Sequence, residues 1–192
     1  MFDGALAYFT IARDVLLGPV SFFRRITITE GIRRATYFAL IIYFIRSLLF
    51  FLLSLHQGYF IDPRFQAIAP VSVSAFIVLS LIPFMFLLIL YSQSIFLYRI
   101  ANFFGGVGNL EAAYKILAFV LFLSIFQIIP YVNIVVHIYA IILLIIGVRE
   151  VFNVDWISST LALFFSFIFT AFLYVLFLFI PLYLVHIIQI PL

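Results

Sequence analysis

Residues 116–148 read ILAFVLFLSIFQIIPYVNIVVHIYAIILLIIGV, an almost unbroken apolar run with Pro130 and Asn133 near its middle. At 1.5 Å per residue a single helix over this stretch would be about 50 Å long, against a bilayer hydrocarbon core of about 30 Å. Two helices fit that thickness better than one. Proline lacks the amide donor and disfavours helix at the residue before it, while Asn133 is a good amino-terminal cap for the second helix. The stretch predicts spans over 116–129 and 134–148 joined by a tight turn.

Working outward, the same length criterion predicts spans over 35–55, over 71–98 (overlong, with Pro83 inside it) and over 161–180, ahead of Pro181. The chain is 68% hydrophobic and 9% charged, and its mean hydropathy is +1.36. So few charges cannot cover a water-facing globule, which leaves lipid as the solvent. The fold class expected is an all-α polytopic membrane protein with five transmembrane helices. Ahead of them, 5–17 places Leu6, Phe9, Arg13 and Leu16 at helical spacing before Gly18 and Pro19. This stretch is too short to span and reads as an interfacial amphipathic helix. The expected organisation is a cytoplasmic interfacial segment over 1–34 and a transmembrane domain over 35–192. Asp3 and Asp14 argue against a cleaved signal peptide.

Charge placement tests the count. With an odd number of spans and the amino terminus inside, Arg13, Arg24, Arg25, Arg33, Arg34, Arg99, Lys115 and Arg149 all fall on the cytoplasmic side, and only Arg64 falls outside. Fusing 116–148 into one helix would put Arg149 on the wrong side. The asymmetry reports orientation rather than nucleic-acid binding, and places the carboxyl terminus outside. The absence of cysteine excludes disulfides and thiolate chemistry.

Arg46 is the intramembrane polar candidate. An arginine mid-span costs about 2.5–3.5 kcal/mol on insertion scales, so it should face protein or water. It either contacts an anion or headgroup, or bonds to carbonyls and Asn or Gln side chains of neighbouring helices, or snorkels along a kinked helix. No carboxylate lies inside any span, which disfavours proton- or sodium-coupled transport. Pro83 and Pro130 are kinks or stops, or mark broken helices at a substrate site. His56, His137 and His186 fall near the outer interface, with Asp62 on that side too, but share no ligand spacing; belt histidines are the default over a zinc site. Gly105 to Asn109 lacks the Gly-Lys-Ser/Thr ending of a phosphate cradle and reads as a tight turn with Asn109 capping a helix from Leu110, so no cofactor is expected. Arg24, Arg25, Arg33 and Arg34 lie beside the membrane, where each basic residue is worth about 1 kcal/mol of attraction to an anionic leaflet. With Phe22 and Phe23 they form the candidate docking surface for anionic lipid headgroups or a partner's acidic patch. Ser158, Ser159 and Thr160 have no histidine on their side, and no acid/base pair is visible.

The stretch from Asp14 through Gly18-Pro19 to Phe22-Phe23 resembles the amino-terminal D-x-x-G-P element of Yip1-domain proteins, with one extra residue between Asp and Gly. Gly105-Gly106-Val107-Gly108-Asn109 looks like that family's glycine-rich turn. Gly147-Val148-Arg149-Glu150, with Asn153 to Ala162, is similar to the polar stretch leading into its last helix. Eukaryotic relatives act in vesicle traffic and bind Rab-type GTPases, but carry a much longer soluble amino-terminal region. Its absence ahead of Asp14 points to a prokaryotic-type member in a cytoplasmic (inner) membrane, without carrying over the GTPase role. The resemblance implies a non-enzymatic scaffold or adaptor binding membrane lipid, a membrane or peripheral protein, or a second copy of itself. The alternative is a small permease, channel or lipid transporter using Arg46 and the proline breaks.

Overall fold

The computed structural model describes residues 2–26, 31–57 and 75–176. His186, Asp62, Arg64 and the ends of two expected spans, 71–74 and 177–180, lie outside the described residues. Those residues form helices α1 (Phe2–Leu17), α2 (Pro19–Ile26), α3 (Ile32–His56), α4 (Ile77–Phe103), α5 (Leu110–Ile128), α6 (Val132–Phe152) and α7 (Trp156–Tyr174). Helices α3 to α7 are each long and apolar enough to cross a membrane, as expected.

The prolines act differently. Pro130 ends a helix: α5 stops at Ile128, and the chain reverses through Tyr131, whose φ of 67° is left-handed, with Val132 N–H donating to the Pro130 carbonyl at 2.8 Å. The expected cap at Asn133 is therefore corrected. Tyr131 occupies the cap position with no side-chain bond, and Asn133 already lies inside α6. The reason is that the reversal is completed immediately after Pro130, so the helix starts too early for Asn133 to cap it. Pro83 breaks nothing. A π-turn over Ile77–Leu81, with Ile82 N–H bonded to the Ile77 carbonyl, precedes it and the helix runs on to Phe103. One widened turn relieves the clash of a proline ring with the carbonyl four residues back.

Helix α5 is the axis of the bundle. Of its most apolar stretch 67% is buried, against 39% or less in the other four spans. It packs on α3, α4 and α6, while α7 closes the bundle against α4 and α6. It starts at Leu110, earlier than the span predicted at 116, because Asn109 accepts the Ala112 N–H at 2.8 Å. Over Leu121–Ile128 it tightens into a 3-10 helix.

The amino-terminal helices make specific contacts with α5 and α6. Phe22 packs edge-on to Phe119 of α5 at 5.6 Å, and Lys115, one turn nearer the start of α5, reaches the Ile26 carbonyl at 3.5 Å. On α6, the Leu16 carbonyl accepts from Tyr139 Oη at 2.9 Å, Phe23 touches Gly147, and Arg24 bonds Glu150 at 2.7 Å. Both series run in one direction. From Tyr139 to Glu150 is about 16 Å of helix, so α1 and α2 form a hairpin whose Gly18-Pro19 turn reaches roughly half-way down α6. The turn pairs its own backbone: Gly18 N–H donates to the Asp14 carbonyl, and the Gly18 carbonyl accepts from Phe22 N–H and Ser21 Oγ. A turn packed against another helix needs its backbone groups paired in this way. Gly18 and Pro19 end α1 as expected, and α2 packs on α5 and α6.

Gly147 is the seat of that dock. A Cβ there would lie 2.8 Å from Ile116 Cγ2 and 3.1 Å from two Phe23 ring atoms. Gly147→Val should destabilise the protein by about 1–3 kcal/mol through overpacking, whereas Ile142→Val on the exposed face of α6 should change little. Thermal unfolding in mild detergent checks this; equal melting temperatures would mean that α2 is not seated against α6.

Candidate functional site

Two polar regions stand out, one at the end of the bundle where α2, α5 and α6 meet, the other inside it. At the basic end, Glu150 is the hub. Its side chain is 7% exposed and receives Arg24 at 2.7 Å and Arg149 at 3.5 Å, while Arg149 also lies over the Trp156 ring at 4.5 Å. Asp14 pairs with Arg13 at 3.0 Å and with Arg25 at 3.7 Å. Lys115, expected as a cytoplasmic topogenic charge, is buried and paired with Glu111 one turn earlier. Asp155 caps α7, and the hydrogen bonds from Ser158, side chain foremost, hold its carboxyl below the usual aspartate range.

The expected docking residues divide. Arg33 and Arg34 are exposed; Arg24 and Arg25 are exposed but already bridged to Glu150 and Asp14. Phe23 is fully buried and Phe22 partly so, against Phe119. Both rings turn towards the bundle because α2 is docked, so of the expected docking residues the arginines are the exposed ones.

The interior region is a chamber around Arg46. A cavity of about 420 Å³ is bounded by Arg46 and Tyr43 of α3, Gln93 of α4, Ser124 and Gln127 of α5 and Thr170 of α7. A second, of about 530 Å³, lies between α3, α4 and the end of α5, and shares Tyr43, Arg46 and Gln127 with the first. The Arg46 guanidinium sits 5.7 Å from the centroid of the Phe86 ring. Among the described residues no carboxylate is within ion-pair distance of it. The 3-10 segment builds the polar wall. Its three-residue repeat puts Leu121, Ser124 and Gln127 in one row, and all three face the first cavity.

The glycines join the basic end together. Gly147 faces Phe23 of α2. In the turn between α4 and α5, Gly105 has φ +86°, a Cβ on Gly106 would lie 2.8 Å from the Ala101 carbonyl oxygen, and one on Gly108 would meet the Phe152 ring. Val107 N–H donates to the Phe152 carbonyl at 3.0 Å. Asp14, Gly18 and Pro19 shape the hairpin. The stretches that resemble a family thus meet around the carboxyl-terminal half of α6. A family model described as the Yip1 domain matches residues 13–180, from the hairpin through α7. The chain belongs to the Yip1 family. No curated protein and no solved structure is significantly similar to it. The family consists in general of non-enzymatic membrane proteins. In this Yip1 domain the motif residues are joints between helices; none of them faces the Arg46 chamber.

His56 and His137 are exposed, and among the described residues no group of three metal-ligating side chains exists. His137 donates through Nδ1 to the Asn133 carbonyl and lines the first cavity. Sequence reasoning missed Gln93, Ser124 and Gln127, and with them Glu150 as the partner of Arg24. The signal for the amides was present: two glutamines inside apolar spans are polar groups that must find partners.

Removing the Glu150 charge tests the hub. Because Arg24 is largely exposed while Glu150 is not, Glu150→Gln should cost about 1–2 kcal/mol, between surface and buried pairs. Arg24→Gln should then add little in the Glu150→Gln background. Unfolding midpoints of the two single variants and the double variant check it; strictly additive losses would show that the pair is not coupled.

Proposed function

We propose that this Yip1-family protein is a membrane scaffold whose basic end faces the cytoplasm and holds anionic lipid or an acidic protein partner. The observation that carries this reading is the exposure of Arg33 and Arg34 beside the docked hairpin, next to the half-neutralised Arg24 and Arg25. Cationic side chains at a leaflet surface attract acidic headgroups and acidic peptides alike; Arg33 and Arg34 stand on the first turn of α3, and Arg24 and Arg25 on α2. Their gathering at one end, with Arg99 and Arg149, supports insertion with that end inside and an inner-membrane location for a prokaryotic-type member. A second reading, a small permease or lipid transporter, is favoured by one specific feature: Arg46 borders cavities instead of a dry helix interface.

The scaffold reading predicts how anionic lipid is retained. With the protein in zwitterionic nanodiscs doped with anionic lipid, Arg33→Gln combined with Arg34→Gln should lower lipid retention, scored by mass spectrometry at low salt, by about thirty-fold at most, from about 1 kcal/mol per charge. Arg24→Gln combined with Arg25→Gln should lower it less, because those charges already have partners. Salt at 0.1 M, where the screening length is about 10 Å, should mimic the first double variant. Retention unchanged by Arg33→Gln and Arg34→Gln at low salt would contradict the reading.

A further inference from the structure

Among the described residues the chamber holds a cation without a counter-ion. The carboxylates whose contacts are described, Asp14, Glu111, Glu150 and Asp155, belong to the basic end, where they bridge arginines, pair with Lys115 or cap a helix. Around Arg46 the polar groups are amides and hydroxyls that can donate: Gln93, Gln127 and Ser124. Ser124 is 5% exposed and its Oγ has no hydrogen-bond partner, although it lines the cavity. A buried hydroxyl with no protein partner in the same cavity wall as an arginine is free to donate to an acceptor placed there. A guanidinium with neutral donors and no competing carboxylate selects an anion, and its planar fork suits a carboxylate.

The rest of the lining says what the anion is attached to. Leu90, Leu117, Val120 and Leu144 wall the first cavity, and Phe50, Met85 and Ile89 the second. Volumes of about 420 and 530 Å³ lie in the range of small-molecule sites. The second cavity runs from Arg46 towards the end of the bundle away from the arginine cluster, as far as Gln57, while the first extends along α5 and α6 from Leu117 and Leu144 to Gln127 and His137. Helices around them expose Phe44, Leu48 and Leu88 to the lipid, so a ligand partitioned in the bilayer is the one at hand.

We propose that the Arg46 chamber is a binding site for a monoacyl carboxylate, such as a free fatty acid, with its head on Arg46, Ser124 and Gln127 and its chain along the apolar walls. The site is separate from the basic end and does not depend on the scaffold reading.

The test uses the full-length protein in a non-ionic detergent with an environment-sensitive probe, dansyl-undecanoic acid, its methyl ester, and oleate or inorganic phosphate as competitors. The acid should bind with enhanced fluorescence and be displaced by oleate, and the ester should bind about ten-fold more weakly or worse. Arg46→Gln should weaken the acid to a similar degree. Since losing Arg46 could unfold the bundle, Gln127→Glu is the second variant: it is isosteric, supplies Arg46 with an internal carboxylate, and should weaken the acid about ten-fold while the melting temperature holds or rises. Equal binding of acid and ester, or unchanged binding by a folded Gln127→Glu protein, would overturn the proposal. Displacement by phosphate as effective as by oleate would assign the site to a free anion and overturn it equally.

Discussion

Phe23 lies with its ring against the bare backbone of Gly147, and much of the architecture depends on that contact. It seats α2 in the groove between α5 and α6 and brings Arg24 to Glu150. It also holds the Gly18-Pro19 turn beside Tyr139, where the Leu16 carbonyl finds a donor. The groove exists because α5 is the axis, with Ala112, Ala113 and Ala118 letting neighbours approach closely. Small residues do here what a hydrophobic driving force cannot do in lipid, since apolar side chains gain little by leaving acyl chains for one another.

The two polar regions follow from opposite uses of charge. At the basic end, carboxylates are present and arginines are largely paired, which fixes α2, α6 and the start of α7 to one another. Inside the bundle no described carboxylate accompanies Arg46, and the 3-10 winding of α5 lines up Ser124 and Gln127 instead. The first arrangement stabilises a joint. The second leaves hydrogen-bonding capacity open, which is the property of a binding site.

The spans were legible because hydropathy and proline act locally: the break at Pro130 and the cap at Asn109 are set by the residues beside them. The hairpin was not legible beyond its bend, because its seat is nonlocal. Phe23 reads as part of a docking surface until Gly147, in a different helix, is placed against it. Tyr131 gave no warning that it would adopt φ 67°, since a bulky residue rarely does. Arg46 announced itself through cost alone. Ser124 and Gln127 did not, because their alignment needs a three-residue repeat that an apolar run conceals.

The amino-terminal helices pack against the bundle, and the cysteine-free chain allows the depth of their turn to be measured directly. A spin label on a cysteine replacing Leu17, which is 81% exposed at the turn, reports depth through its relative collision rates with oxygen and a water-soluble nickel complex. Labels replacing Ile138 in the lipid-facing half of α6 and Trp156 at the basic end of α7 supply the two reference depths. The Leu17 label in bilayers is expected to match the Ile138 label, shielded from nickel and accessible to oxygen. A Leu17 label as exposed to nickel as the Trp156 label would place the hairpin on the membrane surface and contradict the docked arrangement.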